Sequence, residues 1–230
     1  MKIVALLQAR MDSTRLPGKV LKEINGLPLI VHIYRRLLAC RELDGVMISW
    51  GGNNIELDLL CNEYGLYAYR GDEQDLIRRH AVAAHQREAD AIVRCTSDCI
   101  FHDPTYIDSL VRDFRDAYPK WRGMSNWKGG RSISEGLDAE IYTTEFLAEL
   151  DRDPNCPRED FATYASKMDC VGTSRLHDMV NNYPGGEDIH LSIDTEDDFK
   201  RAEKMLALLG NDRWDYESTL QAYRSVMAEE

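Results

Sequence analysis

The chain has 230 residues, 43% of them hydrophobic and 30% charged, enough to bury one sizeable α/β core without disulfides or a structural metal. A net charge of −12 repels nucleic-acid phosphates, so an anionic ligand has to be met by a local basic cluster. Six scattered cysteines form no CxxC pair and no zinc set, and no apolar run is long enough to span a membrane, so a cytosolic protein is expected.

In chain order, Lys2–Leu7 reads as a buried strand and Pro28–Cys40 as a helix with Leu29, Ile30, Ile33 and Leu37 on one face. A strand at Val46–Trp50, a helix at Asn54–Tyr64 and a short strand at Leu66–Tyr69 follow. A helix over Glu73–Arg87 leads to a strand at Ala91–Cys95, and Asp103-Pro104 starts another helix through Ile107, Leu110, Val111 and Phe114. Repeated strand-then-helix units predict a parallel sheet with helices on both faces, and ligands beyond the carboxyl ends of its strands. From 118 to 186 the periodicity weakens, with a short strand at Ala139–Tyr142; this stretch is expected to be an insertion serving an acceptor or a dimer contact. The core is expected to resume with a strand at Ile189–Ile193, a helix at Glu196–Leu209 and a last helix at about Tyr216–Met227. The whole is one domain, 1–230.

The loop after the first strand, Gln8 to Lys19, places Arg10, Arg15, Lys19, Ser13 and Thr14 within a dozen residues of an acidic chain. Guanidinium groups, hydroxyls and an ammonium suit a triphosphate, and Pro17-Gly18 lets the chain turn so that Lys19 folds back. It is not a P-loop, because Lys19 is followed by Val20. Asp98, at the end of the strand Ala91–Cys95, and Asp194, at the end of Ile189–Ile193, read either as caps or as carboxylates for Mg²⁺.

Ala9-Arg10-x-x-Ser13-x-Arg15-Leu16-Pro17-Gly18-Lys19 resembles the signature loop of the sugar-acid cytidylyltransferases, most closely the family of the spore coat polysaccharide biosynthesis protein F. The segment Val93–Pro104 and the Ile193-Asp194-Thr195-x-x-Asp198 pattern resemble two further motifs of those enzymes, and the likeness runs to about Lys204. It implies a Rossmann-like, mostly parallel sheet sandwiched by helices, of the nucleotide-diphospho-sugar transferase type, with an inserted arm. It also implies transfer of CMP from CTP to a small acidic or sugar-like acceptor, with Mg²⁺ as cofactor and a homodimer as assembly.

Residue by residue, the resemblance implies metal ligands at Asp98 and Asp194 and charge stabilisation by Arg10, Arg15 and Lys19. Nucleotide contacts are implied at Leu7, Gln8, Ala9, Ser13, Thr14, Arg70, Gly71 and Thr96, besides those three cations and Asp98. Asp138, Glu140, Arg158 and Asp160 are implied to face the acceptor. Ile100 stands where relatives commonly have proline, and Asp160 where they usually have histidine, which points to a different acceptor. Other readings of the same residues are a glycosyltransferase using a nucleotide sugar, transfer to a phosphonate or polyol phosphate, and a non-catalytic nucleotide-binding module.

Overall fold

The computed structural model describes residues 1–128, 133–174, 186, 188–210 and 214–229. Nine strands alternate with helices among these residues. β1 (Ile3–Ala9) is the centre of a seven-stranded sheet of order β5-β4-β1-β6-β8-β7-β9. β4 (Gly45–Gly51), β5 (Ala68–Gly71) and β6 (Ala91–Thr96) run parallel to it, as the strand–helix alternation predicts. β8 (Ala139–Thr143) is antiparallel to β6, while β7 (Gly123–Ser125) is antiparallel to β8 and parallel to β9 (Val171–Thr173). β2 (Glu23–Ile24) and β3 (Leu27–Pro28) make a separate hairpin whose turn residues Asn25 and Gly26 both have positive φ, as a tight two-residue connection requires.

Side chains alternate across β1. Ile3, Ala5, Leu7 and Ala9 enter one core with α1 (Leu29–Leu38), α4 (Pro104–Ala117), α7 (Glu196–Leu209) and α8 (Tyr216–Met227). Val4 and Leu6 enter the other, against α3 (Leu76–Gln86), α5 (Thr144–Arg152) and α6 (Phe161–Ser166). A strand covered on both faces must be apolar throughout, which is why β1 reads as a continuous hydrophobic run. α2 (Ile55–Glu63), α3 and α4 start on side-chain caps from Asn54, Asp75 and Asp103.

Two regions differ from the sequence expectation. The stretch expected as an insertion supplies β7, β8 and β9 to the main sheet, so its described part is continuous with the core; its remainder at 129–132 and 175–185 lies outside the described residues. The strand expected at Ile189–Ile193 is not a strand. That segment makes a single bridge, Glu135 to His190, and then crosses the strand ends, where Ile193 N–H donates to the Asp98 carbonyl at 2.9 Å. Its apolar residues are buried there without joining the sheet, so hydrophobicity alone imitated a strand.

Candidate active site

The loop that leaves β1 is folded by its own backbone. Gly18 takes φ +66°, a left-handed conformation that a side chain would strain, and its N–H donates to the Met11 carbonyl at 3.2 Å. Ser13 Oγ accepts from Leu16 N–H, which commits that hydroxyl to the turn. A 3₁₀ turn over Lys19–Leu21 then sends Lys19 back beneath the loop, where only 5% of the residue stays exposed. Arg10, Thr14 and Arg15 remain on the surface of the same loop.

Lys19 Nζ donates to the Ile193 carbonyl at 2.6 Å and lies 3.3 Å from both Asp98 Oδ2 and Asp194 Oδ1. Arg15 reaches the same Asp194 oxygen at 3.2 Å. Three segments far apart in sequence meet here, locked by Ser97 N–H on the Gln8 carbonyl and Ile193 N–H on the Asp98 carbonyl. Burial opposes the charge on Asp98, but Lys19 and nearby hydrogen-bond donors outweigh it and hold the carboxyl below its usual range. Asp98 is therefore ionised at neutral pH. Asp198 serves the N-terminus of α7, accepting from Thr195 N–H and closing a capping box.

Among the described residues no three His, Cys, Asp or Glu side chains gather as a ready metal cage. Two carboxylates from separate loops, already attracting one cation, are nonetheless the donor set that Mg²⁺ takes when substrate phosphates complete its shell. The residues present fit the ion, with Asp98 and Asp194 as its protein ligands.

The other expected nucleotide contacts separate by environment. Leu7 and Ala9 bury their side chains completely, so only their backbone can face a ligand. Gln8 Oε1 accepts from Arg94 Nε at 2.8 Å, and Thr96 Oγ1 pairs with Cys99 Sγ at 3.1 Å. Arg70 turns toward Asn53 and Asp58 with its guanidinium 5.8 Å from the Trp50 ring centre, and Gly71 packs on the side chain of Arg79.

The expected acceptor residues are not gathered in one pocket. Glu140 is 2% exposed and saturated by Arg94 Nη1 at 2.9 Å and Trp127 Nε1 at 2.6 Å. Arg158 grips both oxygens of Asp75 and also Asp151, tying its loop to the start of α3. Asp160 caps α6 through Thr163 N–H. Asp138 is half-buried beside Cys99, whose thiol is pushed well up by burial and by the charges of Asp98 and Asp138.

A cavity of about 330 Å³ opens beside the loop, bounded by Gln8, Arg10, Asp12, Glu73, Arg79 and Glu159. Arg79 is absent from the sequence expectation, where Arg78-Arg79 reads as a solvated helix face. A signal was present, because Leu76, Ala83 and Ala84 form the buried stripe of α3 and Arg79 sits on it.

The sequence model of the cytidylyltransferase family matches residues 4–155, two strand-end motifs and the loop included. The chain belongs to the cytidylyltransferase family. A protein of Methanocaldococcus jannaschii is 26% identical over 204 residues, covering 87% of this chain and 81% of that one. The spore coat polysaccharide biosynthesis protein SpsF of Bacillus subtilis is 30% identical over 156 residues, 65% of this chain and 62% of its own length. The 3-deoxy-manno-octulosonate cytidylyltransferase of Pelobacter propionicus is 32% identical over 116 residues, 46% of its length. Among solved structures, a cytidylyltransferase from Leptospira borgpetersenii superposes with a TM-score of 0.89 at 26% identity, over 99% of this chain and 96% of the other. A CMP:2-keto-3-deoxy-manno-octonic acid synthetase complexed with CTP shares the fold, with a TM-score of 0.67 at 16% identity over 90% of this chain and 99% of that one. The chain is a nucleotidyltransferase of this family, with its sheet, flanking helices and ligand-bearing strand ends. No helix among the described residues is long and apolar enough to cross a membrane.

Proposed function

We propose that the protein transfers CMP from CTP to a small acidic or sugar-like acceptor and releases pyrophosphate, as a step in making precursors for polysaccharide or surface glycan. The observation that carries this reading is Lys19, held by the Ile193 carbonyl at 2.6 Å and poised 3.3 Å from two carboxylates. An ammonium has three donors, and one is anchored to backbone. The other two are free to exchange their long carboxylate contacts for phosphate oxygens.

In the reaction an acceptor oxygen attacks the α-phosphorus in line, the new P–O bond forms, and the bond to the bridging β-phosphate oxygen breaks. Lys19, Arg15 and the exposed Arg10 stabilise the charge that grows on the departing pyrophosphate. Asp98 and Asp194 are the side chains that would hold Mg²⁺, which when bound offsets phosphate charge. An acceptor hydroxyl that is already ionised needs no protein base. The names of the curated relatives in Bacillus subtilis and Pelobacter propionicus support a glycan setting and a sugar-acid type of acceptor.

The test is pyrophosphate release with Mg²⁺, pairing CTP, UTP, ATP and GTP with sugar acids, sugar phosphates and phosphonates. Release that requires both CTP and one acceptor is the expected outcome. Release that proceeds as well with another nucleotide, or with none of the acceptors despite CTP binding, argues against it.

A further inference from the structure

The floor of the cavity beside the loop holds a charge that the protein does not neutralise. Arg79 is 4% exposed. Its Nη1 donates to the carbonyls of Asp72 and Glu73 at 2.8 and 3.3 Å, while its Nε has no partner among the described residues. Burial pulls its pKa down, against the charges of Asp72 and Glu73. A buried guanidinium with an open edge is costly unless something else completes it.

The fold makes room for this side chain. A Cβ on Gly51 would come within 2.4 Å of Arg79 Nη1, and one on Gly71 within 2.9 Å of its Cγ. Gln8 adds a second donor to the cavity wall. Arg94 has no acceptor, so the oxygen of the Gln8 amide must face it, and the –NH₂ is left for the cavity. The rim carries the opposite polarity, with exposed carboxylates at Asp12, Glu73 and Glu159. Donors below and acceptors above suit a neutral polar ring better than an anion. The cavity begins at Gln8 and Arg10, at the head of the loop, so a nucleotide whose phosphates follow that loop places its base here.

We infer that Arg79 reads the nucleobase: its open edge takes the adjacent O2 and N3 acceptors of cytosine and disfavours uracil, whose N3 carries a proton. The inference rests on the proposed CMP transfer and adds to it the residue that selects the base. Cytosine also offers an exocyclic amine, for which the rim carboxylates are acceptors.

Calorimetric titration of the full chain with Mg²⁺ and CTP, UTP or tripolyphosphate tests it, using Arg79→Met and the cation-retaining Arg79→Lys. The wild type is expected to prefer CTP. Both variants are expected to lose roughly ten- to a hundredfold in CTP affinity, as the loss of a two-point base contact commonly does, and to bind tripolyphosphate unchanged. A CTP-to-UTP ratio that survives in Arg79→Lys overturns the inference, and so does a fall in tripolyphosphate affinity in step with CTP, which marks Arg79 as a support for the loops. Wild type that binds CTP and UTP equally overturns it while leaving nucleotidyl transfer standing. Wild type that binds neither nucleotide nor tripolyphosphate strikes the transfer reading itself.

Discussion

At the β1–β6 end of the ligand-bearing edge, charge is left under-committed; at the β8 end it is used up inside the protein. Lys19 faces two carboxylates at long range, Arg10 and Arg15 lie on the surface, and Arg79 keeps an open edge. Across β6 and β8, by contrast, Arg94 and Glu140 close on each other, and Trp127 takes the remaining carboxylate oxygen. Arg158 is likewise occupied by Asp75 and Asp151. Both ends are rich in the same residue types. What separates a binding residue from a structural one is whether its hydrogen-bonding capacity is already spent.

The largest effect should come from Asp98→Asn. It removes the ionised carboxylate facing Lys19 and one of two metal ligands, and Mg²⁺-dependent turnover should fall by about 10²–10³ or more with the melting temperature nearly unchanged. Retained turnover in that variant would remove Asp98 from the metal site.

Glu140→Gln should act oppositely. It leaves Arg94 with a buried, unpaired charge, and chemical denaturation should show a loss of about 3–5 kcal/mol. A variant of full stability but raised acceptor KM would return Glu140 to the acceptor pocket and break the contrast between the two ends.

Arg158→Ala should have the smallest consequence. Its ion pairs are about a third exposed and screened by solvent, so a stability loss of ~1 kcal/mol is expected in the same denaturation experiment. A changed acceptor KM without that loss would show that Arg158 leaves Asp75 to meet substrate.

The loop from Gln8 to Lys19 was legible as a phosphate site because its cations are concentrated in an acidic chain, next to an unmistakable buried strand. Asp98 was legible from its place after β6. Glu140 was not legible as a saturated residue, because its partners Arg94 and Trp127 come from other strands and loops. Arg79 was hidden for a related reason: a cation on an apolar helix stripe has meaning only once the glycines opposite it, Gly51 and Gly71, are seen to make room.

By itself the sequence determined the alternation of strands and helices, the two-sided burial of β1, the caps of α2 and α4 and the family of the chain, since these depend on local pattern and short motifs. Tertiary structure alone decided that the segment before Asp194 crosses the strand ends instead of joining the sheet, that β7, β8 and β9 complete one sheet, and which charged groups stay open to a ligand. Each of those outcomes depends on partners dozens of residues away, and no local pattern records which distant group will satisfy a carboxylate or a guanidinium.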